Sequence, residues 1–382
     1  MRKNLCVLLA AGMIVCSCLC GAAYASTETG SEFTLPELGE VSIHTDVQKA
    51  VLASPMESES LTDHDPIPLP VEIRWDYEGM ADVFTVSLSL SPEMTEPVTY
   101  ACGDECRTDD GYALPVYNLL IGVPYYYTVT DGLHTSEVST FSIEDIAPRN
   151  LFVEGVDNIR DVGGWTTEDG GRVRQGLVYR SAHPNDEHQA KGSGEILITE
   201  AGLEAARQLG FKTQIDLRSS NNGDLTESPF GREVTYVLEQ FTEVPIEVIM
   251  DPTVDHIAKQ SEIFSDETGR AAIADVFRHF ADEGNYPIVV NCSAGRDRTG
   301  LITFLLNALL GVSEEDLFRD YMFSNLSVKQ ETRGLENYLS NDLGQIVGYE
   351  GDTLSEKAYN YMLDIGLTEE EIDSIIRIMK EY

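Results

Sequence analysis

The apolar run Pro287-Ile288-Val289-Val290 leads directly into Asn291-Cys292-Ser293-Ala294-Gly295-Arg296-Asp297-Arg298-Thr299-Gly300, and this junction constrains the chain more than any other segment. The run predicts a buried strand. From Thr299 the periodicity turns helical, with Ile302, Leu305, Leu306 and Leu309 on one stripe and Gly311 as a stop. Strand, small-residue loop and helix entrance in succession make an anion site, because loop N–H groups converge there and the helix N-terminus adds partial positive charge. A cysteine at the floor of such a loop is stabilised as thiolate, the nucleophilic form. Arg298 can grip two phosphate oxygens with its planar fork. A purely structural turn accounts for Ala294 and Gly295. It leaves unexplained why Arg296, Asp297 and Arg298 gather beside a lone cysteine. The pattern predicts phosphoryl transfer to Cys292.

The segment Cys292-x5-Arg298-Thr299-Gly300 resembles the signature of cysteine-dependent protein tyrosine phosphatases. Its spelling is similar to the bacterial branch that also accepts phosphoinositides and phosphoserine or phosphothreonine. Three upstream pieces fit that branch in order: Asn158-Ile159-Arg160-Asp161-Val162-Gly163-Gly164, Leu177-Val178-Tyr179-Arg180-Ser181 and Ile215-Asp216-Leu217-Arg218-Ser219. The resemblance implies that Cys292 is the nucleophile, Asp297 the general acid and Arg298 the phosphate-binding arginine. Ser293, Ala294, Gly295, Arg296 and Thr299 would complete the substrate loop, with the Thr299 hydroxyl steadying the thiolate. Relatives usually carry lysine where Arg296 stands, and histidine where Asn291 stands. Arg160, Arg180, Asp216 and Arg218 are candidates for the cleft rim, while Asp161, Asp216 and Arg218 could instead pair with one another under the sheet. Gly163-Gly164 suits a turn needing positive φ. His183 and His188 read as loop residues. No metal or cofactor is implied.

Arg2 and Lys3 precede an apolar run from about Leu5 to Leu19, and Ala23-Tyr24-Ala25 offers a small-residue cleavage site before Ser26. This predicts a signal peptide over residues 1–25 and export. Val15, Ser17 and Cys18 loosely fit a lipid-attachment box, so a lipoprotein anchored at Cys18 is the alternative, and membrane attachment is expected only in that case. Of the seven cysteines, Cys6, Cys16, Cys18 and Cys20 fall in the signal, leaving Cys102, Cys106 and Cys292. Cys102 and Cys106 either close a small disulfide or stand as two loop thiols; Cys292 is then the odd, reactive one. With 65 acidic against 26 basic residues the formal net charge is −39, which argues against nucleic acid as a partner. A phosphate site in this chain needs local charge opposite to the global charge.

Residues 26–65 read as an acidic linker or extended arm, with one short helix around Asp46 to Leu52. Over 66–145 the pattern is β: Val71, Ile73 and Trp75 alternate, then Phe84, Val86, Leu88 and Leu90, with a further strand through Tyr125, Tyr127 and Val129. Seven short strands in a β-sandwich are expected there. Trp75 with Tyr117-Asn118-Leu119-Leu120 and Tyr125-Tyr126-Tyr127 resembles a fibronectin type III module. Over 146–382 strands and helices alternate. A helix from Glu200 to Leu209, capped by Thr199 and stopped by Gly210, precedes a strand from Lys212 to Leu217. Another helix carries Ile273, Val276, Phe277 and Phe280, and Thr368 with Glu371 forms a capping box. The expected fold is an α/β phosphatase domain, a central and largely parallel sheet with helices on both faces, behind an N-terminal all-β sandwich. Ser219 to Arg270 carries no catalytic spelling and is read as a lid.

Together these features predict an exported hydrolase of phosphomonoesters, acting through phosphocysteine on phosphotyrosine first and with dual specificity possible. Phosphoinositides or inositol phosphates, handled by a phosphoinositide phosphatase or cysteine phytase, are the alternative substrates. The rival from another class is an inactive phosphate-binding or adhesion module.

Overall fold

The computed structural model describes residues 33–61, 64–184, 196–218, 226–241, 261–262, 264–328 and 332–382. The proposed signal segment, His188 and much of the expected lid lie outside them. Two compact units emerge, one holding Leu69–Asp145 with the chain up to Ile43, the other joining His44–Pro68 to Ile146–Tyr382.

In the first unit, one sheet orders Phe33–Thr34, Val71–Tyr77, Gly111–Val116 and Arg107–Thr108. A second orders Gly39–Val41, Ser139–Ile143, Pro124–Thr130, Phe84–Ser89 and Val98–Cys102. Alternation works as the sequence suggests: Val71, Ile73 and Trp75 are buried while Glu72 and Arg74 are exposed. Trp75 stacks on Tyr112 at 5.4 Å and meets Phe84 of the other sheet edge-on at 5.6 Å. Cys102 and Cys106 are joined by a disulfide.

The expected arm is a correction. Phe33–Thr34 and Gly39–Val41 are strands of the sandwich sheets, and Asp46–Ala53 is a helix capped by the Thr45 hydroxyl. That helix belongs to the second unit because it has apolar surface to bury: Val51 and Leu52 pack with Phe323 and Leu326. An acidic composition concealed these few buried side chains.

The second unit is built on a five-stranded sheet ordered Arg160–Asp161, Val178–Ala182, Ile288–Cys292, Thr213–Asp216, Thr235–Leu238. Its last four strands are parallel and the first is an antiparallel edge. Ile288–Cys292 is central and buried throughout, so its side chains feed both faces. Ile288, Val290 and Cys292 join the larger core with helices Glu267–Ala281 and Asp297–Leu310, whereas Val289 joins Ala206 and Leu209 of helix Glu200–Leu209 on the other face. Thr199 caps that last helix and Gly210 ends it at φ 74°, as expected. Thr368 and Glu371 form their capping box. Part of the expected lid is instead sheet: Thr235–Leu238 extends the parallel ladder, with Phe230 and Val234 in the core.

Asp320 sits between two buried guanidinium groups, accepting from Arg160 Nε at 2.7 Å and Arg180 Nη1 at 2.6 Å. Burial acts to raise its pKa, but the two arginines prevail and hold it low. Removing the carboxylate strands two buried cations, a change that typically costs about 3–5 kcal/mol. Asp320→Asn should therefore lower stability by about that amount in urea denaturation at neutral pH. Because the folded pKa is depressed, this contribution is complete above the unfolded value of about 3.9 and is lost as pH falls further. The wild-type advantage over Asp320→Asn should then shrink in acid; a gap constant with pH would contradict the assignment.

Candidate active site

Cys292 ends the central strand rather than following it, is 3 % exposed, and carries a free thiol. The loop beyond it returns to the helix Asp297–Leu310, whose N-cap is Arg296. Gly295 makes the turn possible. Its φ is +64°, and a Cβ there would lie 2.3 Å from the Ser181 carbonyl group.

The loop carbonyls are bound, one after another, to the body of the domain. The Cys292 and Ser293 oxygens accept from the His183 backbone N–H at 2.9 and 3.1 Å. Asn158 Nδ2 donates to the oxygens of Ala294 and Gly295, both at 3.0 Å, and Arg180 Nη2 donates to Gly295 O at 2.9 Å. The Arg296 oxygen accepts from Gly300 N at 2.7 Å as the first bond of the helix. In a trans peptide the next N–H points opposite to the C=O. With these carbonyls drawn back, the N–H groups of residues 293–297 are turned the other way, into the loop. N–H groups converging in this way can bind an anion.

Arg160, Arg180, Asp216 and Arg218 are no cleft rim: each is buried, at 1, 1, 0 and 2 % exposure. Arg160 and Arg180 are spent on Asp320, and Arg160 also donates to Asn158 Oδ1 at 2.6 Å. They shape the loop from behind. Arg218 clasps Asp216 with Nε at 3.0 Å and Nη2 at 2.9 Å, while Asp161 turns to Arg149 at 2.7 Å rather than to that pair. Asp216 also accepts from Tyr236 Oη at 2.9 Å and Asn291 Nδ2 at 3.2 Å. Burial opposes its ionisation, but Arg218 keeps the pKa below the usual range. Asn291, where relatives carry histidine, is held between Asp216 and Gln214 Nε2 at 2.8 Å, beneath the loop. His183 is fully buried and not a loop residue in the solvated sense; its Nε2 lies 3.9 Å from Asp216 Oδ2. Of the Gly163-Gly164 pair, only Gly164 has positive φ, at 95°, whereas Gly163 is needed because a Cβ would fall 2.1 Å from Arg174 O.

Around the mouth, Arg298 Nη1 donates to Leu217 O at 2.9 Å. Asp297 Oδ1 accepts from Arg333 Nε at 3.0 Å and lies 3.6 Å from Arg296 Nε. Arg333 was not legible in the sequence, since it belongs to no motif and reaches the loop only through the fold. Burial works to raise the Asp297 pKa, yet Arg296, Arg333 and Arg298 outweigh it and hold the group well below the ordinary carboxylate range. Asp297 is therefore ionised in the free protein. The expected Thr299 contact is not made: its buried hydroxyl has no hydrogen-bond partner among the described residues.

Residues 151–380 match the model of the tyrosine phosphatase family, and the chain belongs to that family. A Cupriavidus necator protein, provisionally named a tyrosine-protein phosphatase, is 31 % identical over 185 residues, covering 46 % of this chain and 63 % of its own length. A tyrosine-protein phosphatase of Nostoc commune is 23 % identical over 209 residues, covering 47 % of this chain and 69 % of its own. The chain thus spans under two thirds of the first relative. Among solved structures, P. aeruginosa TpbA in complex with pTyr is 16 % identical, with TM-score 0.29, over 50 % of this chain and 90 % of that one. The core catalytic domain of the S. cerevisiae PP-IP phosphatase SIW14 in complex with citrate is 15 % identical, with TM-score 0.26, over 48 % and 86 %.

An alcohol leaving group must be protonated as it departs, whereas nitrophenolate leaves almost unaided. Asp297→Asn should lose roughly 10²–10⁴-fold on alkyl or serine phosphates and far less on nitrophenyl phosphate. Equal losses, read as kcat/KM on both substrates, would make Asp297 a loop-shaping residue.

Proposed function

We propose that this protein is an exported, cysteine-dependent phosphatase acting on phosphomonoesters through a phosphocysteine intermediate. Phosphotyrosine is its primary substrate, with phosphoserine and phosphothreonine accepted. The observation that carries the reading is the loop itself: carbonyls bound outward from Cys292 to Arg296, Cys292 at its floor, Arg298 at the helix entrance. In this mechanism the thiolate attacks phosphorus in line with the leaving oxygen. Loop N–H groups and Arg298 stabilise the equatorial oxygens, and Asp297 protonates the leaving group. The Asp297 carboxylate then draws a proton from the water that hydrolyses the S–P bond. Ser293, Ala294, Gly295, Arg296 and Thr299 complete the substrate loop.

The export reading rests on the sequence of residues 1–25, and lipidation at Cys18 remains its variant. The all-β unit is read as fibronectin type III-like on the segments around Trp75, Tyr117-Asn118-Leu119-Leu120 and Tyr125-Tyr126-Tyr127; it would display or orient the phosphatase domain outside the cell. Local positive charge comes from Arg296, Arg298 and Arg333 in a chain of net charge −39, which favours a singly phosphorylated protein over a polyanionic inositol phosphate.

The direct assay is phosphate release from an aryl phosphate in EDTA with reductant. Cys292→Ser should abolish turnover while still binding inorganic phosphate, since the N–H groups and Arg298 remain. Wild-type protein without turnover would favour a phosphate-binding module. Undiminished turnover in the variant would contradict the covalent route.

A further inference from the structure

One short segment of the second unit lies outside the family match. The match begins at residue 151, whereas His44–Pro68, which precedes the sandwich strand Val71–Tyr77 in the chain, joins the same unit. Its turn Pro55–Ser60 grips the chain on both sides of Arg333. Ser58, fully buried, accepts at Oγ from Asn325 Nδ2 at 3.1 Å. The Glu59 backbone oxygen accepts from Thr332 Oγ1 at 2.9 Å, and Glu59 Oε1 accepts from the Leu335 backbone N–H at 3.0 Å.

Arg333 itself stands in neither helix nor strand, so no ladder orients its backbone. The Asn325 side chain does so instead. Its Oδ1 accepts from the Arg333 backbone N–H at 2.9 Å, and its Nδ2 donates to Arg333 O at 2.8 Å. Asn325 and Arg333 are both buried. From this fixed base the arginine side chain reaches the catalytic loop, its Nε donating to Asp297 Oδ1 at 3.0 Å. Hydrogen bonds thus run without a break from Ser58 through Asn325 and Arg333 to Asp297.

We propose that Pro55–Ser60 is a working part of the active site: with Asn325 it fixes Arg333, and Arg333 positions the Asp297 carboxylate for proton transfer. The inference rests on the phosphatase reading above and deepens it with residues that act without touching substrate. With Oδ1 held by Arg333, Oδ2 is left to the departing oxygen in the first step and to the attacking water in the second. Such placement matters, because a displacement of about 1 Å can cost roughly 10²-fold in rate. An arginine on an unanchored backbone would spread over many rotamers and fix nothing. The electrostatic effect of the same contact has the opposite sign. Burial raises the Asp297 pKa, while Arg296, Arg333 and Arg298 lower it. Removing Arg333 would, by charge alone, raise the proton affinity of Asp297 and make it a readier acid. Position and charge therefore predict opposite outcomes for one substitution.

Arg333→Met keeps an apolar stem and removes the donor. In the full-length protein it should lose at least about 10-fold in kcat/KM on an alkyl phosphate and less than about 3-fold on nitrophenyl phosphate, with Arg333→Lys recovering part of the loss. A gain on the alkyl phosphate, equal losses by folded protein on both substrates, or no loss would overturn the proposal. The Asp297→Asn background separates positioning from phosphate binding. With no acid left to position, adding Arg333→Met there should cost only the small factor seen on nitrophenyl phosphate. An undiminished further loss on the alkyl phosphate would contradict the positioning role. Glu59 is exposed, so Glu59→Ala tests the segment without opening the core, and decides the matter should Arg333→Met fold poorly. It should lower kcat/KM by at least about 2-fold on the alkyl phosphate and by less on nitrophenyl phosphate. Absence of that bias would remove Pro55–Ser60 from the active site. Failure of the phosphatase reading looks different: wild-type protein would then not turn over nitrophenyl phosphate at all.

Discussion

The loop carbonyls must be held outward, and a buried polar network serves that constraint. Asn158 and Arg180 bind them directly, Arg160 fixes Asn158, and Asp320 fixes both arginines. A buried ion pair is a poor source of net stability, because desolvation offsets most of the attraction. Here its value lies in direction. Two guanidinium forks locked on one carboxylate orient an asparagine and a loop to within hydrogen-bond tolerance. Asn158 even accepts a left-handed conformation, at φ 52°, to reach its place.

The second organising fact is electrostatic. Behind the loop the three arginines Arg160, Arg180 and Arg218 share the two carboxylates Asp320 and Asp216, which leaves one positive charge in excess there, and at the mouth Arg296, Arg298 and Arg333 stand against Asp297. This answers how a chain of net charge −39 can present a phosphate site. It also explains why the Asp297 carboxyl is held well below the ordinary range despite its burial.

Legibility in the sequence followed the range of the interactions. The strand, loop and helix at Cys292, the caps at Thr199 and Thr368, and the stop glycines Gly210 and Gly311 are set by local propensity and appear where the sequence places them. Motif residues were found, but their roles were not. Arg160 and Arg180 read as cleft residues because an arginine's partner cannot be seen until Asp320 is folded beside it. Arg333 carries no local signature at all, lying 36 residues beyond Asp297 and meeting it only in three dimensions. The helix Asp46–Ala53 was visible as a helix and invisible as part of the second unit, since two buried apolar side chains suffice to dock it.

The central claim is that Cys292 becomes covalently phosphorylated. The most direct measurement is acid quenching of wild-type protein within a single turnover of nitrophenyl phosphate, followed by mass spectrometry of the peptide containing Cys292. The account predicts one added phosphoryl group on that cysteine, absent from Cys292→Ser. Turnover without any phosphorylated Cys292 peptide, under conditions that preserve a thiophosphate bond, would contradict it.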